Sequence, residues 1–484
     1  MSSTSRTRTM TIRKGRDASS LALLAVGLAG CGAVSSVTGG NPIPEGTPGH
    51  VRGYLGAVVA DEPRAALVAR DVLSGGGTAA DAAVAGGFAL AVTLPSRTGL
   101  GGGGACLVYN RAANATEALL FPANAPEGGM AGDRPAAVPM LARGLFALHT
   151  RNPRRPFNEL VAPAEQLARF GTTVSRALAQ DLAAVAGPLL ADPGARAVFA
   201  GPSGAPLGDG ERLVQADLGG TLAALRISGV GDMHQGALAR RLEETTPRIG
   251  GPLSLEALRA AIPVVTRPLQ MTVGRDIVSF LPPPADGGLA GAAAFQALQG
   301  GAGVDAASQR ALAVSTAWRE RGGDAQALLA GDVAFSGAAP VLPASSSLMV
   351  VDRGGNAVSC AFTLNNLFGT GRMVPQTGFL LAAAPNRGRV EPPLLAAALA
   401  HNPNLSAFRY AGAGTGQAAA PIALALPLAR ALLNGADAVS AAASVPEPGR
   451  ANLITCPRYL PGEAAQCSQA ADPRGGGLSL GGTP

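Results

Sequence analysis

Residues 345–371 constrain the fold more than any other stretch of this chain. They read Ser-Ser-Ser-Leu-Met-Val-Val-Asp-Arg-Gly-Gly-Asn-Ala-Val-Ser-Cys-Ala-Phe-Thr-Leu-Asn-Asn-Leu-Phe-Gly-Thr-Gly. Leu348–Val351 is a short apolar strand. Asp352–Asn356 carries turn chemistry, with glycines free to take positive φ. Ala357–Leu364 returns as a second strand, with Val358, Cys360 and Phe362 on one face and Ser359, Ala361 and Thr363 on the other. The pattern predicts a hairpin set into a buried sheet, with three hydroxyls leading into it. Taken alone, Ser345-Ser346-Ser347 also reads as a solvated loop before an ordinary hairpin.

A chain of 484 residues can bury a large core in one or two domains. Hydrophobic residues make up 47% but aromatics only 4%, so helices and sheets must pack closely through small side chains. The net charge of +6 is misleading, because Arg6, Arg8, Arg13, Lys14 and Arg16 against Asp17 place +4 in the first thirty residues. The rest is near neutral, and no nucleic-acid partner is expected.

The first residues predict an export signal. A basic start precedes the apolar run Leu21–Leu28, too short to cross a bilayer as a permanent helix. Leu28-Ala29-Gly30-Cys31 resembles the bacterial lipoprotein processing box, which places a lipid on Cys31 and makes residues 1–30 the signal peptide. The alternatives are an ordinary signal with a chance cysteine, or a weak membrane anchor. Residues 31–50, rich in Gly, Ser, Thr and Pro, read as a flexible tether. Export would expose the chain to an oxidising compartment. Cys456 and Cys467, which flank a Pro461-Gly462 turn, are then expected to form a disulfide; two free thiols are the alternative. Cys106 and Cys360 sit in apolar strand-like runs and are expected to be small core residues. No metal-ligand spacing occurs, and neither metal nor cofactor is expected.

Along the chain, helices are expected from Ala65 to Leu73, Ala79 to Leu94, Pro139 to His149, Phe157 to Phe170 and Ala420 to Leu433, with Ser175 capping another. Gly99, Gly101 and Gly104 formally spell G-x-G-x-x-G, but the run follows a helix and precedes the strand Ala105–Tyr109. That order is the reverse of a dinucleotide site, so a close backbone approach is the better reading. Thr377–Leu381 is expected to be a strand. His50, His149, His234 and His401 lie in loop or helix-end contexts and are expected at the surface. Glu243-Glu244 reads as a solvated helix face.

Several blocks, in order, resemble the γ-glutamyltranspeptidase family of N-terminal nucleophile hydrolases. They include Asp81–Val84, the Gly99–Gly104 run, Gly208–Glu211, Leu281–Gly288, Gly331–Phe335, Val351-Asp352, Gly355–Val358, Thr363-Leu364-Asn365, Phe368–Gly371, Tyr410–Gln417 and Ala471–Gly477. The resemblance runs from about residue 52 to 482. It implies an α+β fold, a four-layer αββα sandwich, as one large domain built from two autoprocessed segments, 51–344 and 345–484. It places the nucleophile on Ser345 and the processing bond at Ala344–Ser345, where the freed α-amine becomes the base. It puts Thr363 beside the nucleophile, Asn365 in the substrate site, and backbone oxyanion donors on Thr415 and Gly416. Side chains lining a strand ladder are the plainer reading of Thr363 and Asn365.

The same resemblance predicts a changed pocket. The family's arginine for a glutamate α-carboxylate falls on Pro122, its acidic pair on the stretch Ala382–Arg387, and its paired serines on Leu395-Ala396. A charged head group buried without those partners would cost several kcal/mol. The expected function is an acyltransferase or amidohydrolase acting on a small amide, γ-glutamyl or another acyl donor, with an amine or water as acceptor. After cleavage the fragments stay associated. The membrane is touched only through the lipid, facing the periplasm or cell exterior. The alternative is a family member without catalysis, acting as a lipoprotein.

Overall fold

The computed structural model describes residues 54–128, 132–331, 333, 344–387 and 390–481. The expected signal peptide and tether, with Cys31 and His50, lie outside the described residues, as does Arg389.

In chain order the strands that matter are β1 (Gly56–Ala60), β2 (Gly103–Asn110), β3 (Ala115–Phe121), β4 (Val264–Thr266), β5 (Leu269–Val273), β6 (Asp276–Phe280), β7 (Ser345–Asp352), β8 (Ala357–Thr363), β9 (Ala396–Asn402), β10 (Ala407–Thr415), β11 (Arg450–Leu460), β12 (Ser468–Ala470) and β13 (Leu478–Leu480). They form a seven-stranded sheet, ordered β13-β1-β7-β8-β2-β3-β4, and a six-stranded sheet, ordered β12-β11-β10-β9-β6-β5. Every ladder in both is antiparallel.

The helices complete four layers. Against the outer face of the first sheet lie α1 (Pro63–Ser74) and α2 (Ala79–Thr93), with α3 (Phe157–Phe170) packed on α2 and α4 (Arg176–Leu190) in the same core. Against the second lies α5 (Asp286–Gln299); α6 (Val304–Arg321) packs on it and on α7 (Ala420–Leu433), which also lies against that sheet. Helix α2 is apolar on every side, so it can only be an interior helix, and all its residues are buried. Thr78 and Asp81 cap it reciprocally.

Alternation along β7 and β8 feeds two cores at once. Leu348, Val350, Val358, Cys360 and Phe362 pack under the helices. Met349, Val351, Ala357 and Ala361 meet Ala397, Ala411 and Ala413 of the second sheet. The hairpin is therefore inserted, flanked by β1 and β2, with no solvent face. Truncating a side chain such as Phe362 would cost about 3–5 kcal/mol. The glycine run works as a close approach: a Cβ at Gly101 would lie 2.1 Å from the Leu380 carbonyl oxygen.

Three expectations are corrected. Cys106 and Cys360 are not separate core thiols. They stand opposite each other in the β2–β8 register and are bonded, with an S–S distance of 2.05 Å. Cys456 and Cys467 are also bonded, at 2.01 Å. His234 and His401 are buried rather than at the surface: His401 lies within the buried strand β9 and faces the other sheet, and His234 lies on the inner side of a short helix, Asp232–Gln235. Thr377–Leu381 is not a strand. Gly378 takes φ of +72°, and only isolated bridges, Met373 with Leu380 and Gly101 with Leu381, remain.

The buried histidines make stability depend on pH. His401 stacks on Tyr109 at 4.6 Å between the sheets, and neither ring nitrogen has a hydrogen-bond partner among the described residues. Burial pulls its pKa down to about 4. His234, lowered to about 4 by burial and then by Arg143, spends only Nδ1, on the Leu258 carbonyl. Their folded values lie below the unfolded value of about 6.5, so the unfolded chain binds protons first as pH falls. Stability is complete above pH about 6.5 and is lost between there and about 4. Melting temperature should fall through this window, and His401→Phe, which keeps the stack, should flatten the fall; an unchanged curve would contradict the assignment.

Candidate active site

Ser345 opens β7 where the two sheets face each other. It is 7% exposed and pairs in register with Thr363, the last residue of β8. Thr363 Oγ1 accepts a hydrogen bond from the Asn365 backbone N–H at 2.8 Å. Its own proton is therefore free to point elsewhere, and it donates to the Ala344 carbonyl at 2.5 Å. That carbonyl belongs to the peptide bond preceding Ser345. Thr363 thus contacts the bond that would break, rather than the Ser345 hydroxyl. Among the described residues Ser345 Oγ makes no hydrogen bond.

The next two hydroxyls are already committed. The Ser346 hydroxyl bonds with that of Thr98. Ser347 donates its N–H and its hydroxyl to Asp61 Oδ2, at 2.6 and 3.0 Å. Asn452 Nδ2 donates to Asp61 Oδ1 at 2.8 Å and to Ser347 Oγ at 2.9 Å. Burial raises the Asp61 pKa; the charge of Arg97 and the hydrogen bonds from Ser347 and Asn452 oppose the rise. Of the serine run, Ser345 is the residue left with its hydroxyl unspent.

Ser345 lines a cavity of about 410 Å³ together with Asp61, Arg97, Asp181, Thr415 and Gly416, within the size range of small-molecule sites. Thr415 ends β10 and is not among the residues with positive φ, so a side chain is tolerated there. Gly416 takes φ of +113°, and a Cβ would lie 2.7 Å from the Pro448 carbonyl oxygen, so glycine is required. Its N–H donates to no described group, leaving a backbone donor on the cavity wall. Ser359 Oγ on β8 donates to the Gly412 carbonyl on β10 at 3.0 Å and ties the sheets beside this gap.

Asn365 lies apart from the cavity. Its amide nitrogen donates to the Ala123 and Ala383 carbonyls, both at 2.8 Å, and clamps those two segments together. The positions expected to have lost glutamate contacts follow suit. Ala382, Ala383, Ala384, Leu395 and Ala396 are buried. Neither they nor Pro122 line the cavity. Arg387 is exposed and also lies apart from it.

Sequence reasoning missed Asp61, Arg97, Asp181 and Asn452. Arg97 binds Asp181 through Nε and Nη2 at 2.7 and 2.8 Å, and Ser96 donates to the same carboxylate at 2.6 Å. Burial lowers the Arg97 pKa, but the Asp181 carboxylate outweighs it and the net shift is upward. A lone arginine in the run Ser96–Gly104 was a usable signal. Asp61 and Asn452 had none, because they meet across 391 positions of sequence.

The layered architecture is shared with a solved acylase. A cephalosporin acylase from Bacillus halodurans superposes with a TM-score of 0.73 over 91% of this chain and 98% of that one, at 19% identity; the likeness is one of fold. The sequence model of the Gamma-glutamyltranspeptidase family matches residues 65–320 and 330–387, and the chain belongs to that family. It is a divergent member. The glutathione hydrolase proenzyme of Escherichia coli strain K12 is 31% identical over 386 residues, covering 68% of this chain and 66% of the relative. That of Bacillus subtilis strain 168 is 29% identical over 49% of this chain and 43% of its own length. The matches thus span less than two-thirds of these relatives. The acylase ACY 1 proenzyme of Pseudomonas sp. strain SE83 is 28% identical, over 68% of each chain.

If Gly416 is required for its backbone, Gly416→Ala should lower stability by about 1–3 kcal/mol, read as a clear drop in melting temperature. Gln180→Ala, on an exposed part of the same cavity wall, should change little. Equal melting curves for both would refute the requirement.

Proposed function

We propose that this chain is an autoprocessing amidohydrolase or acyltransferase in which Ser345 is the nucleophile. The observation carrying the reading is one arrangement: an unspent, buried Ser345 hydroxyl beside a carbonyl already held by Thr363, in a cavity with the free Gly416 N–H. In processing, Ser345 Oγ attacks the Ala344 carbonyl carbon. The Thr363 hydroxyl stabilises the oxyanion as charge builds on that oxygen. The C–N bond breaks, the acyl group passes to Oγ, and water hydrolyses the ester. Ala344 keeps a carboxylate and Ser345 gains a free α-amine. That amine then serves as the base when Ser345 attacks a substrate amide. The Gly416 N–H, with the neighbouring Thr415 backbone, takes the substrate oxyanion. Departure of Ala344 frees Thr363 to bond the nucleophile. The names of relatives called proenzymes support the splitting.

The substrate is a small amide whose acyl group is not read by the family's usual charges. Pro122, Ala382–Ala384 and Leu395-Ala396 supply no cation or anion, so γ-glutamyl compounds such as glutathione should be poor donors compared with less polar acyl amides. The relative named as an acylase is consistent with this direction. Water or an amine is the acceptor. Export and lipidation at Cys31 belong to the same reading and would place the site in the periplasm or at the cell exterior. A lipoprotein without catalysis is the competing reading, favoured by the joint loss of these contacts.

A reducing denaturing gel of purified protein separates the two readings. Two fragments divided at Ala344–Ser345, with Ser345→Ala intact and Thr363→Val split at least about tenfold more slowly, support catalysis. A wild-type chain that stays whole on long incubation supports the lipoprotein. Release of p-nitroaniline should be slower from the γ-glutamyl anilide than from neutral acyl anilides, and a fast γ-glutamyl rate would refute the pocket assignment.

A further inference from the structure

Strands β7 and β8 follow the Ala344–Ser345 bond, yet they sit between β1 and β2, which precede it. The seam between β8 and β2 is therefore one of the places where the two segments meet. Cys106 on β2 stands opposite Cys360 on β8, and the two are bonded across a sequence separation of 254. We infer that this bond joins segments 51–344 and 345–484 covalently, so that a break at Ala344–Ser345 leaves one disulfide-linked molecule rather than two separable chains. The inference builds on the proposed splitting, but the bond itself does not require it.

The other disulfide cannot do this. Cys456 and Cys467 both follow the break. Among the described cysteines, Cys106–Cys360 alone spans it. Hydrolysis at Ala344–Ser345 consumes one water and leaves a carboxylate and an amine. No electrons move, so the S–S bond is unaffected. Its position suits a tether for the site. Cys360 lies three residues before Thr363 on the same strand, and β8 pairs Thr363 with Gly103 of β2. Splitting removes the peptide link into β7; the disulfide still holds the hairpin to the larger segment in this register. Both cysteines are fully buried, so a reductant should reach them only after unfolding.

The test uses full-length protein folded under oxidising conditions. After splitting, a denaturing gel should show one band without reductant and two with it. The Cys106→Ala/Cys360→Ala chain should show two bands in both lanes, and Cys456→Ala/Cys467→Ala should behave as wild type. Two wild-type bands without reductant would overturn the inference. A second arm is independent of self-cleavage: Ser345→Ala with a specific protease site inserted between Gly331 and Ala344, cut by added protease. Its fragments should separate only on reduction. Alkylation of unreduced, unfolded protein followed by peptide mapping should recover Cys106 and Cys360 in one linked peptide; alkylated thiols at both positions would overturn the inference. A single reduced band from wild type together with a linked peptide would reject self-cleavage while upholding the tether.

Discussion

The antiparallel pairing of β7 with β8 is the constraint on which the rest of the site depends. It sets Ser345 against Thr363, and Thr363 then reaches back to the carbonyl before Ser345. A slip of one residue would turn every side chain of β7 to the opposite face. Ser345 would then point at the helices, and Leu348 and Val350 into the gap between sheets. The register is secured from both sides. Leu348, Val350 and Phe362 need the helical core, Met349 and Ala361 need the sheet–sheet core, and the turn Asp352–Asn356 fixes the loop length. Burial of that apolar surface, at roughly 25 cal/mol per Å², is what holds the Ser345–Thr363 pair at the edge of a dry layer.

Family membership and the proposed change of pocket are compatible, because they rest on different residues. The machinery proposed here is mostly backbone and hydroxyl: Ser345, Thr363 and the Gly416 N–H. Such groups survive wide sequence change while the strands keep their places. Substrate recognition rests on side-chain charge, which single substitutions remove. Here the positions expected to carry the family's charges hold alanine, leucine and proline, and Asn365 is spent on two backbone carbonyls. The charges that do stand at the cavity, Arg97, Asp181 and Asp61, come from other elements and are already engaged with protein partners.

The inserted hairpin also decides how the two segments hold together. Because β7 and β8 lie between strands from earlier in the chain, the hydrogen-bond ladders β1–β7 and β2–β8 cross the proposed break. Losing one peptide bond leaves both ladders and three packed cores in place. The Cys106–Cys360 bond adds a covalent tie at the same seam. A site assembled this way would tolerate a chain break beside Ser345, since Ser345 is positioned by neighbours in space.

Much of this was legible from local pattern. Period-two alternation gave the faces of β8, continuous apolar character gave the buried helix α2, and a glycine run before a strand gave a close approach. Glycine at Gly416 and a tolerated side chain at Thr415 follow from backbone angles that a sequence can suggest. Residues that act through distant partners were not legible. Cys106 and Cys360 read as two separate core residues, because strand order, not spacing, puts them opposite. His401 read as a surface residue, because only the facing sheet supplies Tyr109. Asp61, Asn452 and Arg97 carried little or no local mark. By itself the sequence determined the hairpin β7–β8 with its turn, the buried helix α2 and the apolar faces, though not the bridged segment Thr377–Leu381, since those elements depend on neighbours a few residues apart. The tertiary structure alone decided which strands lie side by side, and so which hydroxyl is left unspent, because long-range pairing depends on closing loops of hundreds of residues around a shared core.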